Sequence, residues 1–448
     1  MTFTDLNLNK FLHRALDDLG LESPTVIQEK VCAPVMAGKD IVGIAQTGTG
    51  KTFAYLLPSL SLWKYNKAGL PQILVVVPTR ELVAQVVEEI EKLTVYMNVR
   101  VVGVYGGTNI KTQKAKVQEG LDVIVGTPGR LMDLMLDGVL KTKSINRLII
   151  DEVDEMLNLG FRTQIKNIID LLPEKRQNLM FSATMTDEVE QVIDLVTQYY
   201  EKIEAAPSGA PLENIEQQAY ELPNFNSKAN LLQLLLNEHS KMNKVLVFVS
   251  TKKMADALYE RMYPYFPDEF GVIHSSKSQN NRFDAVNAFQ DESYRFLIAT
   301  DIIARGLDIE SVSHVINFDL PDIAEKYIHR IGRTGRAEEK GVAIAFVTED
   351  DLLYKLAIEE LMGMEIPLIP LPENLELTDE LIDLEKPTEH VPFDNHKVKK
   401  VEPSGPAFHE KKAKNKKVNN KIRRKEQMKL KYKKPKTRGQ KNFRKKGK

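Results

Sequence analysis

Two rhythms alternate along most of the chain. Apolar runs at 41–45, 73–78, 101–105, 122–126, 148–150 and 179–181 are strand-length, β-branched and nearly continuous. Such runs suit strands buried on both faces, as in a parallel sheet, because a strand with one wet face would alternate. Helical periodicity fills several of the gaps, at 81–93 and 188–200. Together these predict a doubly wound α/β sheet over 1–205. Residues 206–214 begin Ala206-Pro207-Ser208-Gly209-Ala210-Pro211 and read as a linker. The rhythm restarts with runs at 245–249, 271–274, 296–299, 315–318 and 342–347, which predicts a second α/β lobe over 215–372. Residues 373–396 are acidic and contain proline, and read as a linker. Beyond 397 the periodicity vanishes, so 397–448 is expected to be a disordered basic tail.

A chain of 448 residues exceeds what one core normally serves, in keeping with two domains. No apolar run approaches the roughly 18–20 residues that span a bilayer, and Met1-Thr2-Phe3-Thr4-Asp5 lacks the features of a secretion signal. The lone Cys32 excludes an intramolecular disulfide and fits a reducing compartment. A cytoplasmic protein with no membrane partner is expected. The formal net charge of zero conceals an asymmetry: residues 397–448 hold 23 Lys+Arg and 3 Asp+Glu, a net of +20, and the remainder carries −20. An acidic body with a basic tail points to an anionic partner.

Ala45-Gln46-Thr47-Gly48-Thr49-Gly50-Lys51-Thr52 follows a strand-like run and precedes a helical one. Strand, glycine-rich turn and helix N-terminus form the setting in which backbone N–H groups and the helix dipole face a phosphate. Lys51 can then reach the outer phosphates, and the Thr52 hydroxyl can ligate Mg²⁺. Ala45 stands where the strict pattern has its first glycine. Asp151-Glu152-Val153-Asp154 follows the run at 148–150, which puts acidic groups over the crevice at the carboxyl end of a strand. Asp151 can hold Mg²⁺, and Glu152 can orient and deprotonate an attacking water. An acidic first helical turn would look the same in isolation; the phosphate loop gives the functional reading its weight. Far downstream, His329-Arg330-Ile331-Gly332-Arg333-Thr334-Gly335-Arg336 interleaves arginines with glycines. The planar guanidinium groups of Arg333 and Arg336 suit the spread charge of phosphoryl transfer.

With these motifs in this order, residues 1–370 resemble the DEAD-box ATP-dependent RNA helicases, and among them the bacterial cold-shock type. The resemblance implies two RecA-like lobes, ATP and Mg²⁺ as cofactors, and RNA as a partner bound largely without regard to sequence. Phe3 and the segment Gly20-Leu21-Glu22-Ser23-Pro24-Thr25-Val26-Ile27-Gln28 look like the family's adenine-reading element. Phe3 would stack on the base, Thr25 would lie in the nucleotide site, and the Gln28 amide would pair with the adenine edge. Pro78-Thr79-Arg80-Glu81-Leu82, Gly106-Gly107 and Thr127-Pro128-Gly129-Arg130 would contact the RNA backbone from the first lobe. Thr300 would do so from the second, with Asp301 and Asp308 near ATP. Ser182-Ala183-Thr184, with Asp154 and His329, would couple hydrolysis to strand separation. Phe248, Gln279 and Arg282 match weaker family positions, and Ala304-Arg305-Gly306-Leu307-Asp308 matches strongly. Val153, in place of the family alanine, and Ile273-His274-Ser275-Ser276-Lys277-Ser278 depart from the pattern. Ribosome precursors, messenger RNA, decay proteins and cold adaptation all remain open as settings.

Two rivals remain. A DNA helicase of the same superfamily would share the phosphate loop and the arginines, since only 2′-OH contacts select RNA. A non-enzymatic RNA-binding or annealing protein could act through the basic tail alone.

Overall fold

The order of strands along each sheet fixes where the site lies. In the computed structural model, which describes residues 1–45, 48–205, 214–238, 242–301, 312–335 and 340–386, thirteen strands are described and all pair in parallel. The first sheet comprises β1 (Ile41–Ile44), β2 (Ile73–Val76), β3 (Val101–Val104), β4 (Val123–Gly126), β5 (Arg147–Ile150), β6 (Gln177–Ser182) and β7 (Glu201–Glu204), in the order 3-4-2-5-6-1-7. The second comprises β8 (Ile215–Glu221), β9 (Val245–Val249), β10 (Phe270–Ile273), β11 (Phe296–Thr300), β12 (His314–Asn317) and β13 (Gly341–Val347), in the order 10-11-9-12-13-8.

Alternate residues of each strand feed a core on either face, which is why the runs read as continuously apolar. In β2, Ile73 and Val75 enter one cluster while Leu74 and Val76 enter the other. In β9, Val245, Val247 and Val249 face away from Leu246 and Phe248. Helices on both faces complete the doubly wound arrangement. No described helix is long and apolar enough to cross a membrane.

The sequence reading missed β7 and β8. Both are edge strands whose apolar residues are interrupted by charged or amide side chains. The acidic stretch after 372 also differs from the linker expected there. Ala219 N–H donates to Pro367 O and Ile369 N–H donates to Ala219 O, each at 2.8 Å, which starts a strap along β8. The strap then crosses the helix Phe225–Glu238, where Asn226 donates to Glu380 O at 2.8 Å and Asn230 donates to Glu376 O at 2.9 Å. Leu375 and Ile382 pack on the core beneath. The chain is therefore fastened to the second lobe as far as Lys386, because these side-chain amides satisfy its backbone carbonyls.

Since β5, β6 and β1 are neighbours and parallel, their carboxyl ends bring three separate loops to one edge. The phosphate loop follows β1, the acidic turn follows β5, and Ser182 ends β6.

Candidate active site

After β1 the chain turns through Gly48 and Gly50, at φ 82° and 85°, into the helix Lys51–Ser61. Only glycine takes such angles without strain, so the turn depends on these positions. The segment that begins the helix Val26–Met36 grips this turn. Thr25 Oγ1 donates to Thr49 O at 2.7 Å, and Gln28 Nε2 donates to Gly50 O at 3.1 Å. Gln28 Oε1 in turn accepts from Thr25 N–H at 2.9 Å. The Gln28 amide thus braces the phosphate loop with one N–H and closes the cap of its own helix with its oxygen. Phe3 corrects an expectation. It is 4% exposed and belongs to the first core with Leu6, Leu12 and Ile27, so it anchors the N-terminal segment and offers no open ring face.

Asp151 is fixed by its own N–H donating to Val76 O at 3.0 Å, and its Oδ1 accepts from Glu152 N–H at 2.9 Å. Glu152 adopts φ 53°, ψ 55°, a left-handed conformation that is costly for a residue with a Cβ. Val153 begins the helix Val153–Asn158 and is fully buried in the second core, so its added bulk is absorbed by packing. Asp154 Oδ2 accepts from Ala183 N–H at 3.1 Å and from Thr184 N–H and Oγ1 at 3.0 Å. His329 Nε2 of the second lobe stands 3.6 Å from the same oxygen. Asp154 therefore joins the acidic turn, the Ser182–Thr184 element and the second lobe.

Electrostatics separates these carboxylates. Burial raises Asp151 and Glu152 above their ordinary values, against the opposing pull of Lys51 on both. The charges of His329 and Arg333 also oppose the effect of burial on Glu152. Burial would raise Asp154 too, but His329, Lys51 and Thr184 outweigh it and hold it well below the usual carboxylate range. Lys51 Nζ, Tyr55 OH and Ser182 Oγ are buried with no hydrogen-bond partner among the described residues. A cation and two hydroxyls buried without partners, beside two carboxylates that burial disfavours in ionised form, fit a phosphate anion accompanied by a divalent cation.

The remaining expected contacts divide into two groups. Thr79 caps the helix Arg80–Leu93 by accepting from Leu82 N–H at 3.3 Å. The Arg80 guanidinium fills the space where a Cβ on Gly107 would stand, and Gly107 itself sits at φ 79°. Pro78 is buried, Gly106 is half-buried, and Thr127 caps a helix that opens at Pro128, with open space around Gly129. Arg130 departs from expectation. It is 7% exposed and donates to Gln113 Oε1 at 2.6 Å and Thr108 O at 3.1 Å, so it braces the Gly106–Gly107 loop from inside.

In the second lobe, Thr300 and Asp301 leave β11 beside the helix Ala324–Ile331. Arg330, 2% exposed, donates from Nε and Nη2 to Asp301 at 2.5 and 2.9 Å, and from Nη1 to Asn317 Oδ1 at 3.0 Å and Asp319 O at 2.6 Å. This fork locks the helix that carries His329 and leads to Arg333. Glu81 of the first lobe and Arg282 of the second form a buried ion pair at 3.0 Å. Sequence reasoning had no signal for that pairing, for the Arg330 fork or for Tyr55, since each depends on residues distant in the chain or on packing. Gln46, Thr47, Ala304 through Asp308, Arg336, the side chain of Gln279, most of the 206–214 linker and the 397–448 tail lie outside the described residues.

Comparison with known proteins agrees with this geometry. The DEAD/DEAH box helicase profile matches residues 25–192, and the helicase conserved C-terminal domain matches 227–338. The chain is 38% identical over 381 residues to the ATP-dependent RNA helicase DbpA of Bacillus subtilis (strain 168), covering 84% of this chain and 78% of the relative. It is 39% identical over 355 residues to the DEAD-box ATP-dependent RNA helicase CshA of Geobacillus kaustophilus (strain HTA426), covering 78% and 74%. Among solved structures, S. cerevisiae Dbp5 bound to RNA and ADP BeF3 superposes with a TM-score of 0.74 at 30% identity, over 82% of this chain and 95% of that one.

Proposed function

The chain belongs to the DEAD-box family of ATP-dependent RNA helicases, and we propose that it separates short RNA duplexes locally by closing its two lobes on ATP and RNA. The reading rests on one observation. Groups from both lobes converge at the acidic turn, with His329 Nε2 3.6 Å from Asp154 Oδ2. A site completed only by lobe closure ties nucleotide turnover to the geometry of whatever spans the lobes.

In this reading residues 1–205 and 215–372, with the strap to 386, act as the two lobes. Lys51 and the loop from Ala45 to Thr52, including Gln46 and Thr47, hold the phosphates, and Gln28 reads adenine with its amide. Thr52 and Asp151 hold Mg²⁺, which supplies charge neutralisation when bound. Glu152 orients and deprotonates water, and Arg333 with Arg336 stabilises the charge that develops on the transferred group. Arg80, Gly106, Gly107, Thr127 through Gly129 and Thr300 meet the RNA backbone, while Arg130 keeps its loop in shape. Asp154 relays nucleotide state to Ser182 and Thr184 through the bonds described above.

The deciding experiment measures ATP hydrolysis and duplex separation with and without RNA, in the full chain and in Lys51→Ala. RNA-stimulated hydrolysis that Lys51→Ala abolishes is expected, and hydrolysis indifferent to RNA would overturn the reading. The basic tail is proposed to add sequence-independent RNA affinity. Each phosphate contact contributes about −0.7 to the log–log salt slope on single strands, so deleting 397–448 should flatten that slope by several such increments. An unchanged slope would leave the tail without an RNA role.

A further inference from the structure

Three adjacent parallel strands of the second sheet, β10, β11 and β9, lead to hydroxyl residues at their carboxyl ends. Ser250 follows β9, Ser275 lies two residues beyond β10, and Thr300 closes β11. All three line one cavity of about 270 Å³, to which the first lobe contributes Asn158 at the end of the helix Val153–Asn158. Because its walls come from both lobes, the cavity is complete only when they meet. Thr300 is 8% exposed, and its hydroxyl makes no hydrogen bond among the described residues. The cations on the cavity are Lys252 and Lys326, while its acidic neighbours are already committed. Asp301 accepts from Arg330, and Glu155 has an interaction of its own. Hydroxyls and ammonium groups gathered in this way suit a phosphodiester, which offers only acceptors.

Lys326 belongs to the first turn of the helix Ala324–Ile331, where the helix dipole disfavours positive charge. Its side chain is 17% exposed, and Nζ pairs with Asp322 Oδ1 at 2.5 Å. Asp322 is 66% exposed and lines a neighbouring cavity but not this one, whereas Lys326 lines both. A surface pair of this kind is weak, so a phosphate in the cavity can draw the ammonium away from it. His329 follows three residues later on the same face of the helix, and Arg330 clamps that helix to the lobe. An RNA phosphate held by Lys326 would therefore load the element whose His329 stands beside Asp154.

We propose that Lys326 is a second-lobe RNA contact held in reserve by Asp322: when RNA enters, its ammonium leaves Asp322 and binds a backbone phosphate seated at Ser250, Ser275 and Thr300. The proposal rests on the reading of the chain as closing on ATP and RNA. It adds to that reading a cation on the helix that completes the nucleotide site.

The test follows the anisotropy of a labelled single-stranded RNA bound to the full chain, with and without a non-hydrolysable ATP analogue and Mg²⁺. Binding by the basic tail needs no nucleotide, so the quantity to read is the gain in RNA affinity that the analogue produces. Lys326→Ala should cut that gain about tenfold, charge-assisted hydrogen bonds being the stronger class. It should also flatten the salt slope of the analogue-bound complex by about 0.7. Lys326→Arg should retain most of the gain. Asp322→Asn should raise it about threefold by releasing the ammonium from a weak pair, and the same change made in Lys326→Ala should do nothing. Tighter binding cannot come from a damaged fold, so the Asp322 variant separates the contact from a structural role of Lys326. An unchanged gain in Lys326→Ala, or an Asp322→Asn effect that persists without Lys326, would overturn the proposal and leave the RNA reading standing. Absence of any analogue-dependent gain in the wild-type chain would overturn both.

Discussion

At the carboxyl edge of the first sheet, Lys51, Tyr55 and Ser182 each bury a polar atom that no described residue satisfies, beside carboxylates that burial pushes up. At the matching edge of the second sheet, Arg330 spends its donors on Asp301, Asn317 and Asp319 and lies over the Phe248 ring at 5.0 Å. The first edge is the less finished of the two, although Asn317 Nδ2 at the second is also buried without a partner among the described residues. That difference teaches a division of labour: one lobe keeps the interactions a ligand will complete, and the other holds rigid the helix that presents His329 and Arg333. Preorganised cations need no rearrangement at the moment of reaction, which is what makes them effective.

Four substitutions test this division, beginning with the strongest. Glu152→Gln keeps shape and removes the base, so ATP turnover should fall by about 10⁴-fold while ATP and RNA binding persist; near-wild-type hydrolysis would remove Glu152 from its role. Arg333→Ala should lower kcat on the order of 10³-fold, and a change confined to KM for ATP would show that it binds only the ground state. Arg330→Met removes the guanidinium fork from Asp301, Asn317 and Asp319 and should cost about 3–5 kcal/mol of folding stability, read by denaturant titration. A loss as small as that of a surface arginine would mean the second edge is not braced as described. Ser182→Ala, at the unfinished edge, removes a hydroxyl with no partner and should change unfolding free energy by less than about 0.5 kcal/mol. A large loss there would erase the contrast.

The buried strands were legible because their two faces are equally apolar. The run at 73–78 contains all of β2, and the run at 245–249 is β9 itself. Edge strands escaped because Glu201–Glu204 and Ile215–Glu221 look polar to any test for continuous burial. Within the site, Lys51, Asp151 and Glu152 announced themselves by spacing, since each lies just beyond a strand whose carboxyl end meets the crevice. Phe3 and Arg130 did not, because residue type cannot tell a ring over a base from a ring in a core, or a guanidinium on a phosphate from one holding a loop. Asp154 entered as a coupling residue through the resemblance alone, because its bonds to Ala183 and Thr184 span 29 and 30 residues of sequence.

Glu152 is one of three described non-glycine residues with positive φ, and it sits at the centre of the proposed chemistry. Asparagine and glycine tolerate that backbone better than glutamate does. Substitution by either should therefore relax the turn, yet it would also delete the carboxylate. Directed evolution for heat resistance alone would be drawn toward such replacements, and the variants it enriched would be sturdier and inert. Activity at this position has to be selected for explicitly, because thermostability and catalysis pull its side chain in opposite directions.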